Sequence, residues 1–164
     1  MSNRQETKEE TKLPALDPAS VEVRVGSIYP DPFNEGVFAR QKQALGDALG
    51  LSKFGVNLLR LAPGVASSQR HWHSGEDEFI YILEGELTLI TDGGEQVLTS
   101  GMVAGFPANS GDGHVLINRS GRDAVVLEVG NRSSAEVVTY SDIDLKQIKQ
   151  DGVRTFIHKD GTPY

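Results

Sequence analysis

Three of the four histidines, His71, His73 and His114, fall in the part of the chain that reads as short strands, and the first two are separated only by Trp72. Alternate residues on a strand share a face, so His71 and His73 project together and their ring nitrogens can converge on one ion, while Trp72 packs on the opposite face. Shortly after them, Glu78 opens the apolar run Phe79-Ile80-Tyr81-Ile82-Leu83. It shares a face with Ile80 and Ile82, where an uncompensated charge is expensive. A metal ion compensates it. The intervening Ser74-Gly75-Glu76-Asp77 is polar and turn-like, able to reverse the chain and bring Glu78 beside the histidines. Glu76 and Asp77 themselves are expected to be solvated loop residues. With no cysteine in the chain, a metal centre must draw on His, Asp and Glu, and thiolate zinc sites, disulfide scaffolds and cysteine nucleophiles are excluded.

The elements that must position these groups are strands. From Phe54 onward, short apolar or alternating runs are separated by Gly, Pro, Asn and Asp: 54–62, 69–73, 78–83, 86–91, 96–99, 102–106, 114–118, 124–129 and 136–140. Glu84-Gly85-Glu86 and Asp92-Gly93-Gly94 read as hairpin turns, since glycine permits the positive φ that such turns require. Many short strands closely spaced imply an all-β sandwich or barrel. One short C-terminal helix is expected over 142–150, with Ser141 as its cap, Asp144 in the capping box and Gly152 beyond its end. Residues 13–50 read as an N-terminal arm wrapping the domain. Residues 1–12 (MSNRQETKEETK) have no large apolar side chain after Met1 and are expected to be a disordered tail.

Composition bounds the partners. The 164 residues hold 16 Lys and Arg against 23 Asp and Glu, a net charge of −7, and the pI is near 5.1. That surplus of carboxylates repels phosphate backbones, so nucleic-acid binding is not expected. No apolar stretch is long enough to span a membrane and residues 1–12 lack the apolar run of a secretory signal, which points to a cytoplasmic protein. By the same reasoning the acceptor-like triplets Asn118-Arg119-Ser120 and Asn131-Arg132-Ser133 are chance matches. The outward residues Trp72, Phe79, Tyr81 and Leu83 form an apolar face that a second subunit or the N-terminal arm must cover. A homodimer is expected.

The pattern Gly64-x6-His71-x-His73-x4-Glu78-x6-Gly85, followed by Gly101-x5-Pro107 and His114-x3-Asn118, resembles the two signature motifs of the cupin superfamily over about residues 54–129. The resemblance implies a double-stranded β-helix, or jelly-roll barrel, as a single domain over 13–164. It also implies that His71, His73 and Glu78 are joined by His114 around one divalent ion. Two departures stand out. Six residues rather than five separate Gly64 from His71, and Pro107-Ala108-Asn109-Ser110-Gly111-Asp112-Gly113-His114 has Asn at a glycine position and two extra residues. Asn tolerates the left-handed conformation, so the turn can survive.

Three imidazoles and one carboxylate leave coordination positions free, an arrangement suited to catalysis with Zn, Mn, Fe, Ni or Co. Small single-domain cupins of this kind resemble sugar-phosphate isomerases, in which the ion polarises a carbonyl or hydroxyl so that a base can move a proton between carbons. The alternatives are an Fe(II)-dependent dioxygenase and a non-catalytic cupin that binds a sugar or carboxylate. For an isomerase, Asp112 is the candidate base. Asn57 and Arg60 are candidate substrate contacts, of which at most one can face the pocket because they differ by three positions on one strand. Arg70 falls on the face opposite His71, and His158 reads as a surface histidine.

Overall fold

Of the two turns expected to be hairpins, Asp92-Gly93-Gly94 is one, joining strands paired from Glu86↔Thr99 to Thr91↔Gly94, whereas Gly85 is a corner that passes the chain from a six-stranded sheet into a three-stranded one. Gly85 adopts φ 78°, and a Cβ there would lie 2.7 Å from the carbonyl oxygen of Asp123, so both conformation and space demand glycine. It joins β5 (Glu78–Glu84) to β6 (Glu86–Thr91). Before them come β1 (Arg24–Val25), β2 (Gln41–Ala44), the one-turn helix α1 (Leu45–Ala48), β3 (Phe54–Leu61) and β4 (His71–His73). After them come β7 (Gly94–Thr99), β8 (Val103–Phe106), β9 (Val115–Ile117), β10 (Ala124–Asn131), β11 (Ala135–Tyr140), β12 (Lys146–Gln150) and β13 (Val153–Ile157). This computed structural model describes residues 14–164, so the tail expected over 1–12 lies outside the described residues.

The strands form three antiparallel sheets in the orders β1-β2-β3-β10-β5-β8, β13-β12-β11-β4 and β7-β6-β9. The last two are stitched together where His71 and His114 exchange backbone hydrogen bonds of 3.2 and 2.9 Å. Together they close over the six-stranded sheet as a jelly roll. Leu59, Leu61, Ile80, Ile82, Leu87, Leu98 and Val126, from both walls, fill the interior. A second cluster of Val138, Tyr140 and Leu145 is capped by Tyr29 and Phe33 from the N-terminal segment and by Phe156. The segment therefore wraps the barrel as expected: β2 extends the six-stranded sheet, and the Arg40 guanidinium donates to the carbonyls of Ser67 and Gly26. Among the described residues no helix is long and apolar enough to cross a membrane.

The helix expected over 142–150 does not form. Residues 146–150 are instead β12, registered against β11 on one edge and β13 on the other. An isolated nine-residue helix is marginal in water, whereas this segment gains a ladder on both edges. Its supposed capping residues serve other partners: the Ser141 N–H donates to the Arg70 carbonyl, and Asp144 accepts from the Lys159 N–H while contacting His158 at 2.8 Å. Asn109, by contrast, adopts φ 57°, the left-handed turn expected of it.

Asn118, fully buried, ties the loop after β9 to the core. Its amide nitrogen donates to the carbonyls of Leu61 and Arg122 at 2.7 and 2.8 Å, and its oxygen accepts from the Ser120 N–H and hydroxyl. Asn118→Ala strands the buried Leu61 carbonyl and removes the tie to Ser120 and Arg122, and is expected to cost about 2–4 kcal/mol. Thermal unfolding should show Tm lowered by roughly 5–12 °C. A Tm unmoved by the substitution would mean that the network does not hold the loop.

Candidate metal centre

Strand alternation delivers both histidines of β4 to one side, and their Nε2 atoms lie 3.1 Å apart. Glu78, at the head of β5, shares its face with the buried Ile80 and Ile82 and meets them from the opposite wall. Its Oε2 is 2.9 Å from His114 Nε2, 3.4 Å from His73 Nε2 and 3.9 Å from His71 Nε2. His71, His73 and Glu78 offer ligand atoms all within 4.8 Å of one another, and His114 enters the group through its contact with Glu78. The four side chains expected to gather here do so.

The chemistry of these donors fits a cation. The His71 Nδ1 is 2.8 Å from the Gln69 carbonyl, which can only accept, so Nδ1 carries the hydrogen and Nε2 presents a lone pair inward. Burial pushes the His71 pKa down to about 3, so the ring is neutral at ordinary pH. Burial opposes charge on Glu78 as well, but the close imidazoles of His114 and His73 outweigh it and hold the carboxyl well below its usual range. Burial also works against protonated His73; Glu78 and then Glu136 overcome that and raise its pKa. Glu78 Oε2 is buried yet makes no well-aligned hydrogen bond, despite its crowding by imidazole nitrogens. Oxygen and nitrogen lone pairs converging off the hydrogen-bond line are what a divalent ion would draw together.

A second layer holds the ligands. Glu136, 4% exposed, sits with Oε1 3.6 Å from His73 Nδ1. The same oxygen accepts from the Ser74 N–H at 2.7 Å, and Oε2 accepts from the Gly75 N–H at 3.1 Å. Glu136 thus stands beside the far nitrogen of His73 as a charge, without a hydrogen bond to it. Phe106 stacks on His114 with ring centroids 3.6 Å apart and planes 3° from parallel. The Tyr140 ring lies 5.7 Å from that of His71 and edge-on to Tyr29 at 5.4 Å. Burial raises the pKa of both phenols, which therefore remain neutral hydrogen-bonding groups.

The remaining expected residues separate. Asn57 pairs directly with Glu128 and shares the inward side with buried Leu59. Arg60 is turned outward, half exposed, with its guanidinium 3.6 Å from Asp123, and so is not a pocket residue. Asp112 is not in the cluster either: its Oδ1 accepts from the Asp92 N–H, and it lines a groove of about 410 Å³ between β7 and β8. The carboxylate is spent on the backbone of the turn between β6 and β7. Arg70 opposes His71 as expected and clamps the rim, reaching both oxygens of Asp142 and also Asp92. Glu76 is a correction: it is half-buried, 3.0 Å from Lys149, and accepts from the Ser133 N–H. Lys149 becomes available as its partner only because β12 is a strand. Asp77 is exposed, and His158 stays outside the cluster with Asp144.

Three polar residues that the sequence reading did not single out lie on the inner walls: Glu136, Glu128 and Lys42. Each announces itself through alternation once the strand is known. Glu136 precedes buried Val138 and Tyr140 at two-residue spacing, and Glu128 follows buried Val126. Lys42 is registered with Leu59 and reaches Glu128 at 3.4 Å.

His73→Ala removes a donor and is expected to abolish stoichiometric divalent-metal uptake. Glu136→Gln leaves all four donors and should weaken affinity about 10- to 100-fold. Metal analysis after dialysis against graded chelator reads both. Unchanged stoichiometry in His73→Ala would remove His73 from the ligand set.

Comparison with known proteins agrees with this geometry. Residues 57–130 match the family model described as Cupin domain. The chain is 44% identical to a cupin-superfamily sugar phosphate isomerase from Silicibacter pomeroyi, over 92% of this chain and 96% of that one, with a TM-score of 0.89. It is 27% identical to a protein from Acidithiobacillus ferrooxidans provisionally assigned as a sugar phosphate isomerase, over 88% of each chain, with a TM-score of 0.75. A polyketide cyclase, RemF, from Streptomyces resistomycificus shares the fold at 19% identity and a TM-score of 0.58, over 73% of this chain and 80% of that one. No curated protein matches the sequence. With a nearly full-length relative at this identity and the signature histidines and glutamate brought together inside a jelly roll, the chain belongs to the cupin superfamily.

Proposed function

We propose that this protein is a divalent-metal-dependent isomerase of a sugar phosphate. The observation that carries the reading is the one-sided placement of the donors. His71, His73, Glu78 and His114 come from β4, β5 and the turn before β9, while the facing β3 and the adjoining β10 contribute none, which leaves that side of a bound ion open to a ligand. The similarity to the Silicibacter pomeroyi protein, itself called a sugar phosphate isomerase, supports the same substrate class. A bound Zn, Mn, Fe, Ni or Co ion supplies a Lewis acid that polarises a substrate carbonyl or hydroxyl and acidifies the neighbouring C–H. The protein's own part is to keep the His71 imidazole neutral, to aim the donors, to hold the carboxylate ionised, and to shield the cluster with Phe106 and the paired tyrosines.

Protein reconstituted with each of these metals and mixed with aldose phosphates in D2O is expected to show ketose signals, with deuterium at C1 of the ketose and at C2 of the recovered aldose, by proton NMR. If no metal supports turnover or exchange, the isomerase reading fails. Oxygen consumption by the iron form with a chelating substrate would replace it with the dioxygenase reading.

We also propose that a second copy of the chain covers the outer face of the six-stranded sheet. Phe79, Tyr81, Leu83 and Val103 are 42%, 38%, 40% and 51% exposed there, and Tyr81 and Val103 are registered neighbours. The N-terminal segment, the other candidate cover, packs Tyr29 and Phe33 on the second cluster instead. Light scattering at micromolar concentration should give the mass of two chains, shifting to one chain in Tyr81→Glu. A wild-type monomer would discard the dimer.

A further inference from the structure

The inner wall across from the imidazoles is bare at the level of Glu78. Gly55 and Gly130 are registered partners on β3 and β10, and Gly130 is in turn registered with Glu78. Neither glycine has a positive φ, so conformation does not require them. Crowding explains Gly130, whose Cβ would lie 3.0 Å from the Asp77 carbonyl oxygen, but it does not explain Gly55. A Cβ on Gly55 would meet nothing nearer than 3.8 Å, and the atoms it would meet are the Asn57 amide nitrogen and the Arg132 guanidinium. Those are ordinary van der Waals contacts, so the missing Cβ leaves the width of a methyl group, bounded by hydrogen-bond donors.

One step along the same wall stands a charged pair. Glu128 is directly opposite Asn57, and its Oε2 is 3.4 Å from Lys42 Nζ. Glu128 is registered with Ile80 and Gly130 with Glu78, so Glu128 and Glu78 are diagonal neighbours on one face, with Cα atoms about 7–8 Å apart. Below them the wall is sealed by fully buried Leu59 and Val126. A carboxylate that faces the interior, binds no backbone donor among the described residues and stands one diagonal from a metal ligand is placed for proton transfer, in a way that Asp112 is not.

We propose that the Gly55–Gly130 wall is the substrate seat, and that Glu128 is the group that carries the proton between C1 and C2 of an open-chain aldose phosphate. This rests on the isomerase reading and names its site. The chain of the substrate lies over Gly55. Its phosphate meets the guanidinium edge of Arg132 that Asp47 leaves free, and Asn57 donates to a hydroxyl. The Glu128 carboxylate takes the C2 proton, the electron pair of that C–H bond becomes the C1–C2 double bond, and the carbonyl oxygen at C1 gains a proton. Glu128 then returns its proton to C1 while the C2 hydroxyl gives its own to water, which supplied the one taken up by the C1 oxygen, so an aldose becomes a ketose with no net oxidation. Lys42 is a positioning residue that keeps the carboxylate turned into the barrel.

The test compares wild type, Gly55→Val and Glu128→Gln, each loaded with Mn²⁺. Three quantities are measured: metal per chain, calorimetric affinity for glucose 6-phosphate, mannose 6-phosphate and ribose 5-phosphate, and deuterium entry at C2 from D2O. Metal content is expected to be the same in all three. Glu128→Gln should bind the preferred sugar phosphate within about threefold of wild type and lose deuterium entry about 10²- to 10⁴-fold. Gly55→Val should lose at least tenfold in affinity at an unchanged Tm, with Gly55→Ala as the milder variant should valine disturb the strand. Wild-type exchange in Glu128→Gln would overturn the role of Glu128, and wild-type affinity in both Gly55 variants would overturn the seat. If the wild type itself binds and exchanges none of the three sugars, the isomerase reading falls and the seat with it.

Discussion

An ionised carboxylate inside a barrel is the condition from which the rest of the structure follows. Glu78 opens a strand whose next inward residues, Ile80 and Ile82, are core, so its side chain is committed to the interior by alternation alone. A lone charge there would be neutralised or would unfold the strand. What answers it is three imidazoles, two from β4 and one from the backbone bridge that stitches two sheets together. Because His71 and His114 are that bridge, the ligand geometry and the closure of the barrel are the same set of hydrogen bonds. Loosening the centre would loosen the join between the sheets.

The second layer shows how few degrees of freedom the ligands retain. The Gln69 carbonyl sets the tautomer of His71, Glu136 faces the far nitrogen of His73, and Phe106 lies flat on His114. Glu136 is itself held by backbone N–H groups of the loop between β4 and β5. The polar turn that brings Glu78 to the histidines is therefore also the anchor of the carboxylate that stands beside one of them. Arg70, joining Asp92 and Asp142, closes the rim nearby without touching the cluster. Donors packed in this way are preorganised to meet an ion without rearrangement.

Much of this was legible in the residues because it depends on parity and turns, which are local. Two histidines two apart, a glutamate at the head of an apolar run and a glycine needing positive φ each carry their meaning in a few neighbours. Asn109 in a left-handed turn is of the same kind. What was not legible depends on which strands become neighbours. The 142–150 segment has capping residues and a following glycine, and only pairing with β11 and β13 makes its end a strand. Once it is a strand, Lys149 reaches Glu76, and a residue that reads as solvated becomes half-buried. Asn57 and Arg60 could be ranked only after Leu59 was known to point inward.

Glu136 and Glu128 illustrate the limit from the other side. Both obey the rule that exposes Glu78, a carboxylate in step with buried apolar residues, yet their surroundings differ. Glu136 is enclosed by backbone donors and faces a ligand's far nitrogen, where it can orient but cannot reach a substrate. Glu78 is surrounded by imidazoles, where it can coordinate but is not free to move a proton. Glu128 alone of the three is opposite an amide and beside a lysine, on a wall whose next inward position is Gly130. Three inward-facing carboxylates thus stand in three settings, one among backbone donors, one among imidazoles and one beside a lysine, and the difference comes from their neighbours, since the side chains are chemically alike.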